Sequence, residues 1–210
     1  MDGIDVERVH RQLAGLRATA ISADGFLTAT AGFLGNLLEL DVDPRVYRIR
    51  DAQALARSVL DTTRTAVDRA TQAALEVAAV VLPTPGHVDL LFGPPLRELD
   101  RLNAQTRATT PGSRPALRSG IDYEAERRAL IKCREAMPAI RETAESDDGL
   151  VAATADARGR LLDLSLHQSI YRAPDSRRLA EGIITTARRA TERARARLHA
   201  TTAAPRDVRS

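Results

Sequence analysis

Residues 35–59 read GNLLELDVDPRVYRIRDAQALARSV, and residues 159–183 read GRLLDLSLHQSIYRAPDSRRLAEGI. The apolar positions coincide while many charges differ. Sliding the chain against itself by 124 positions aligns 17–70 with 141–194 without a gap, and 23 of those 54 positions are identical. Asp24-Gly25 matches Asp148-Gly149, Leu37-Leu38 matches Leu161-Leu162, Tyr47-Arg48 matches Tyr171-Arg172, and Asp51 matches Asp175. A repeat of this length is a duplicated structural unit, and its boundaries organise everything else in the chain.

Each copy reads the same way from its residues. Leu38, Leu40 and Val42 alternate with Glu39, Asp41 and Asp43, as Leu162, Leu164 and Leu166 alternate with Asp163, Ser165 and His167. A period of two predicts a strand with one buried and one wet face. The preceding FLTATAG and LVAATAD predict another strand, turning into the first at Gly35 or Gly159, where a residue without Cβ takes positive φ. The Asp-Gly pairs are hairpin signals, so ATAIS and ETAES are predicted to pair back as a third strand. Asp51 and Asp175 stand where helix N-caps are expected, and Pro174 keeps the chain non-helical just before the second. Beyond the caps, Leu55, Val59, Thr63, Ala66 and Val67, like Leu179, Ile183, Ile184, Ala187 and Ala194, recur at helical spacing. A shorter apolar stripe precedes each copy: Val6, Val9, Leu13 and Leu16, matched by Leu130, Cys133, Met137 and Ile140, with Pro138 expected to end the second helix.

The expected fold class is therefore α+β, with two tandem α-β-β-β-α modules built on three-stranded antiparallel meanders and long helices, assembling as a pseudo-dimer. The expected layout is a first module over 1–82, an interdomain segment and linker over 83–120, a second module over 121–200, and a disordered tail over 201–210. Within the linker, PTPGHVDLLFGPP is broken by prolines and glycines, LRELDRLNAQ suits a short helix, and TTPGSRPALRSG suits an exposed connection.

Composition narrows the functional classes. Hydrophobic residues make up 43% and aromatic residues 3%, so the core must be built from Leu, Val, Ile and Ala. The single cysteine, Cys133, excludes an intrachain disulfide framework and an all-cysteine metal site. The chain opens on no basic-then-apolar leader, and its longest apolar run, Val77–Leu82, is far shorter than the roughly 20 residues of a membrane helix. The expected setting is the cytoplasm.

No catalytic constellation or metal site is legible. His10, His87, His167 and His199 have no partners at ligand or triad spacing, and Cys133 sits on an apolar stripe. Glu39, Asp41 and Asp43 follow the period of a solvated strand face. Neither a cofactor nor an enzymatic activity is expected.

Charge is uneven. Residues 1–80 hold 9 Arg against 11 acids, whereas residues 171–210 hold 10 Arg against 4. The candidate DNA surface is the last helix, with Arg177 and Arg178 near its start and Arg188, Arg189, Arg193, Arg195 and Arg197 beyond; Arg189, Arg193 and Arg197 share a face by i, i+4 spacing. Such a row suits salt-dependent, sequence-independent contact with duplex phosphates, and the scarcity of aromatics argues against single-stranded recognition. The turn tips differ, Phe33-Leu34 in copy one against Ala157-Arg158 in copy two, and the apolar tip is a candidate partner contact.

The pattern DGLVAATADARGRLLDLSLHQSIYR followed by LAEGIITTARRATERA resembles the YbaB/EbfC family of small bacterial nucleoid-associated proteins, and copy one resembles it through ADGFLTATAGFLGNLLELDVDPRVYR and LARSVLDTTRTAVDRA. The resemblance implies non-enzymatic, largely sequence-independent binding of double-stranded DNA in the nucleoid, by a homodimer or, here, an intramolecular pseudo-dimer. The net acidity of copy one departs from that pattern. Relatives associated with type VII secretion imply the alternative, a protein-interaction scaffold or chaperone-like protein with protein partners.

Overall fold

A computed structural model describes residues 13, 15–81, 123–137 and 139–202. Copy one comprises β1 (Arg17–Ile21), β2 (Leu27–Gly32), β3 (Leu37–Val42), a 3-10 turn (Pro44–Arg48) and α1 (Ala52–Val81). Copy two begins with α2 (Tyr123–Ala136) and continues through β4 (Arg141–Glu145), β5 (Val151–Asp156), β6 (Leu161–Leu166), a 3-10 turn (Gln168–Tyr171) and α3 (Ser176–Thr202). Of the helix expected before β1, Leu13 is described, helical and buried, while Val6 and Val9 and the linker expected over 83–120 lie outside the described residues. Of the tail expected from 201, the first two residues belong to α3, which runs through Thr202.

Each sheet is a three-stranded antiparallel meander, ordered β1-β2-β3 and β4-β5-β6. The turns follow the predicted chemistry: Gly25 and Gly149 sit at φ 72° and 67°, and Gly35 and Gly159 at 97° and 102°. Asp24 and Asp148 brace the first hairpin from inside, each accepting from the serine two residues back and from the backbone N–H two residues on. The strand reading needs one correction. The register of β2 against β3 shifts between Thr30 and Ala31, and that of β5 against β6 between Thr154 and Ala155. These bulges break strict alternation, so Leu37 is buried while Leu38 and Leu162, expected on the buried face, are only half-buried. The 3-10 turns were not legible in the sequence. Asp43 opens the first by accepting from Arg45 N–H at 2.8 Å, and His167 Nδ1 opens the second by accepting from Ser169 N–H at 3.2 Å.

Both long helices start as predicted. Asp51 accepts from Ala54 N–H and Asp175 from Arg178 N–H, each at 2.9 Å, satisfying backbone donors the first turn leaves open. Each helix covers its own sheet and reaches the other: α1 packs on β1, β2 and β6, and α3 on β4, β5 and β3. One core results, combining Leu27, Leu40, Val42 and Val59 with Val151, Leu164, Leu166 and Ile183. Alanines line the contact: Ala20, Ala29, Ala66 and Ala70 in one copy, Ala144, Ala153, Ala190 and Ala194 in the other, all almost wholly buried. Their small side chains let helices lie close to sheets, which is how a core nearly free of aromatics fills its space.

The two sheets meet at one antiparallel bridge, Asn36 to Arg160. These positions are equivalent in the repeat, so the bridge lies on the local twofold relating the copies. The junction is nevertheless asymmetric. Asp156, 1% exposed, accepts from the backbone N–H groups of Arg158, Gly159 and Arg160 and from Arg160 Nε at 2.7 Å. Copy one has Gly32 and Asn36 in those places, and a Cβ at Gly35 would lie within van der Waals overlap of the Arg160 side chain. The copies are fitted to each other as unlike partners.

Candidate nucleic-acid interface

Helix α3 carries seven arginines and two glutamates, whereas α1 carries three arginines and three acids. Strand alternation leaves Glu39, Asp41, Glu145 and Asp163 exposed, with only Arg17 and Arg141 as exposed strand cations among the described residues. Positive charge is therefore concentrated on one helix.

The seven predicted arginines fall into two groups. Four are held by carboxylates. Arg177 pairs with Glu181 one turn on at 3.0 Å, and Arg178 reaches Asp148 at 3.2 Å. Arg189 grips Asp147 with two parallel hydrogen bonds of 2.6 and 3.0 Å, and Arg197 pairs with Glu142 on β4. The mutual effect is plain in the Arg189 pair, where the guanidinium holds the Asp147 carboxyl below the usual carboxylate range and the carboxylate raises the Arg189 pKa. The other three form no ion pair among the described residues. Arg193 donates to the Thr143 carbonyl at 2.8 Å, Arg195 to the Ala157 carbonyl at 3.2 Å, and Arg188 is exposed. Arg188 and Arg195 stand seven residues apart and so share a face, while Arg189, Arg193 and Arg197 form the predicted row that leans over β4.

Comparison between copies sharpens this grouping. Arg188 and Arg193 correspond to Arg64 and Arg69, and Arg69 donates to the Thr19 carbonyl at 2.8 Å as Arg193 does to that of Thr143. Both guanidiniums occupy a carbonyl of an edge strand that would otherwise be open to pairing. The acid-paired arginines have no such counterparts: Thr65 stands for Arg189, Ala73 for Arg197 and Ala54 for Arg178.

Sequence reasoning placed no candidate residue on α2. Leu130 and Cys133 of α2, with Met137 and Ile140 just beyond it, pack with Ala157 against Ala194 and Leu198 near the end of α3, and α2 presents Arg128 and Lys132 to solvent. The signal was there, since those two cations stand at i, i+4. Cys133 is a half-buried free thiol in that contact, its pKa raised by burial. A cleft of about 390 Å³ opens beside the first half of α3, lined in part by Asp147, Asp148, Arg178, Arg189 and, from copy one, Tyr47.

Phe33 and Leu34, expected as an exposed tip, are half-buried at the β2–β3 turn. His167 serves as a cap, as noted, while His10 and His87 lie outside the described residues. Among the described residues no cluster of three His, Cys, Asp or Glu side chains is placed to hold a metal, and no helix is long and apolar enough to cross a membrane.

A comparison with curated proteins finds no match. The model of the YbaB/EbfC DNA-binding family, by contrast, matches residues 4–83 and again 123–204, which are the two copies defined by the repeat and the two halves of the pseudo-dimer. The chain thus belongs to the YbaB/EbfC DNA-binding family, with the family's unit present twice.

Proposed function

We propose that the protein is a non-enzymatic, nucleoid-associated protein that binds double-stranded DNA with little sequence preference. The observation that carries this is the concentration of seven arginines on α3 within a family of DNA-binding proteins. Guanidinium groups on a rigid helix contact phosphates, which position a protein on the duplex and carry no sequence information. Arg188, Arg193 and Arg195, which no carboxylate pairs among the described residues, make the first contacts, and the exposed Arg128 and Lys132 of α2 are further candidates. Arg177, Arg178, Arg189 and Arg197 add to it to the extent that their carboxylates release them.

The internal packing of the copies supports a single chain as the binding unit, one that presents a basic copy two and a slightly acidic copy one. Contact is then one-sided, unlike that of a symmetric dimer. The test is titration with random-sequence duplex DNA at two salt concentrations. Affinity of micromolar or better that falls steeply with salt is expected. Absence of binding at low salt removes this reading and leaves a protein-interaction scaffold.

A further inference from the structure

We propose that Glu142 and Asp147 act as built-in competitors of DNA phosphate, occupying the guanidiniums of Arg197 and Arg189 and compensating their charge so that the DNA affinity of α3 is set below what its arginine content would give. The inference rests on the DNA-binding reading and concerns how that surface is regulated.

The first support is the way the copies differ. Where copy two has Asp147 and Arg189, copy one has Ala23 and Thr65; where copy two has Glu142 and Arg197, copy one has Ala18 and Ala73. In both cases acid and arginine are present together or absent together, although they are 42 and 55 residues apart in the chain. Arg193, which bonds a carbonyl instead of an acid, has its counterpart Arg69 in copy one.

The second support is exposure. Arg189 and Asp147 side chains are 41% and 85% exposed, and those of Arg197 and Glu142 63% and 27%. Ion pairs this open to water contribute little to folding, so stability gives them no strong reason to exist. They are, however, reachable by a phosphate. A guanidinium that donates two parallel bonds to a carboxylate presents the same pair of donors a phosphate would take, and Arg189 is held by Asp147 in that way. The two arginines flank Arg193 at one helical turn on either side, so both acids act on the same row.

The third is chemical economy in the neighbouring pair. Asp148 also meets an α3 arginine, but it braces the hairpin as Asp24 does in copy one, so its presence has a structural cause. Asp147 and Glu142 are bonded to no described group other than their arginines.

The experiment compares duplex DNA affinity and its salt dependence for four proteins whose folding is checked by circular dichroism and thermal melting. Asp147→Asn with Glu142→Gln frees both arginines. Asp41→Asn with Asp163→Asn makes the same change in net charge on exposed strand positions. The fourth protein lacks both members of each pair: Asp147→Asn, Glu142→Gln, Arg189→Gln and Arg197→Gln. Freeing the arginines is expected to tighten binding about five- to tenfold at low salt and to steepen the salt slope by up to about 0.9 per arginine. The strand-face control should change affinity less than about twofold, and the fourth protein, which lacks the freed guanidiniums, should lose the gain. An acid-neutralised protein no tighter than the control overturns the inference. So does a loss of more than about fivefold in the fourth protein, because the arginines would then already be on the DNA. If the unaltered chain fails to bind DNA at low salt, the underlying DNA reading fails, and this inference with it.

Discussion

Tyr47 and Tyr171, which occupy equivalent positions in the two copies, meet edge to face with ring centroids 5.9 Å apart and planes at 86°. Equivalent residues touch only where a twofold passes, so this pair marks the axis of the pseudo-dimer together with the Asn36–Arg160 bridge. Burial raises the pKa of both phenols. The rings therefore belong to the joint between copies, which one chain closes on its own.

That joint should register as energetic coupling. In a double-mutant cycle, Tyr47→Ala and Tyr171→Ala are expected to show about 0.5–1.5 kcal/mol of interaction, the usual value for an aromatic pair beyond its area burial. Urea unfolding of the two single variants and the double variant measures it, and strict additivity would contradict the contact.

Asp156 is expected to be the most costly single carboxylate to lose. Asp156→Ala removes the acceptor of three backbone N–H groups and of the Arg160 guanidinium in a site the side chain fills almost without exposure. A loss of about 2–3 kcal/mol follows, against less than about 0.5 kcal/mol for exposed Asp163→Asn. Chemical denaturation of both variants checks the ranking.

Arg188→Ala with Arg195→Ala removes two arginines that no carboxylate pairs among the described residues and that share one exposed face of α3. Under the proposed function the pair should weaken duplex binding for all sequences alike and lower the salt slope by up to about 1.8, while the melting temperature stays nearly unchanged. Fluorescence anisotropy across a salt series reads both quantities. Binding that keeps its full slope would show that the duplex lies elsewhere.

Acid stability follows from four carboxyl groups with depressed pKa values. Hydrogen bonds from the Arg45 side chain and backbone hold Asp43 at about 2. Asp24 is lowered by the Ser22 hydroxyl and the Phe26 N–H, Asp148 by the Ser146 hydroxyl and the Leu150 N–H, and Asp147 by Arg189. A carboxyl lowered on folding stabilises the native state above its unfolded value, near 3.9, and that stability is lost as pH falls through the folded value. Stability should thus decline between about pH 4 and pH 2, and Arg45→Ala should move the lower edge of that window upward. Urea midpoints from pH 2 to pH 7 provide the curve.

The sequence by itself determined the duplication, the order of strands and helices, the glycine turns and both aspartate caps. These depend on local geometry: a period of two or of 3.6, a residue able to take positive φ, an oxygen within reach of the next backbone N–H groups. Even the helix in front of copy two was legible from Leu130, Cys133 and Met137. The tertiary structure alone decided which carboxylates Arg178, Arg189 and Arg197 meet. Spacing placed Arg189, Arg193 and Arg197 on one face correctly, but their partners Asp147, the Thr143 carbonyl and Glu142 lie 42 to 55 residues away. Net charge summed along a chain cannot tell a free guanidinium from one already gripped by an acid, because that difference is made by distance in space. The same holds for Asp156, an unremarkable strand residue in the sequence that becomes a buried acceptor of four hydrogen bonds only when the β5–β6 turn folds around it.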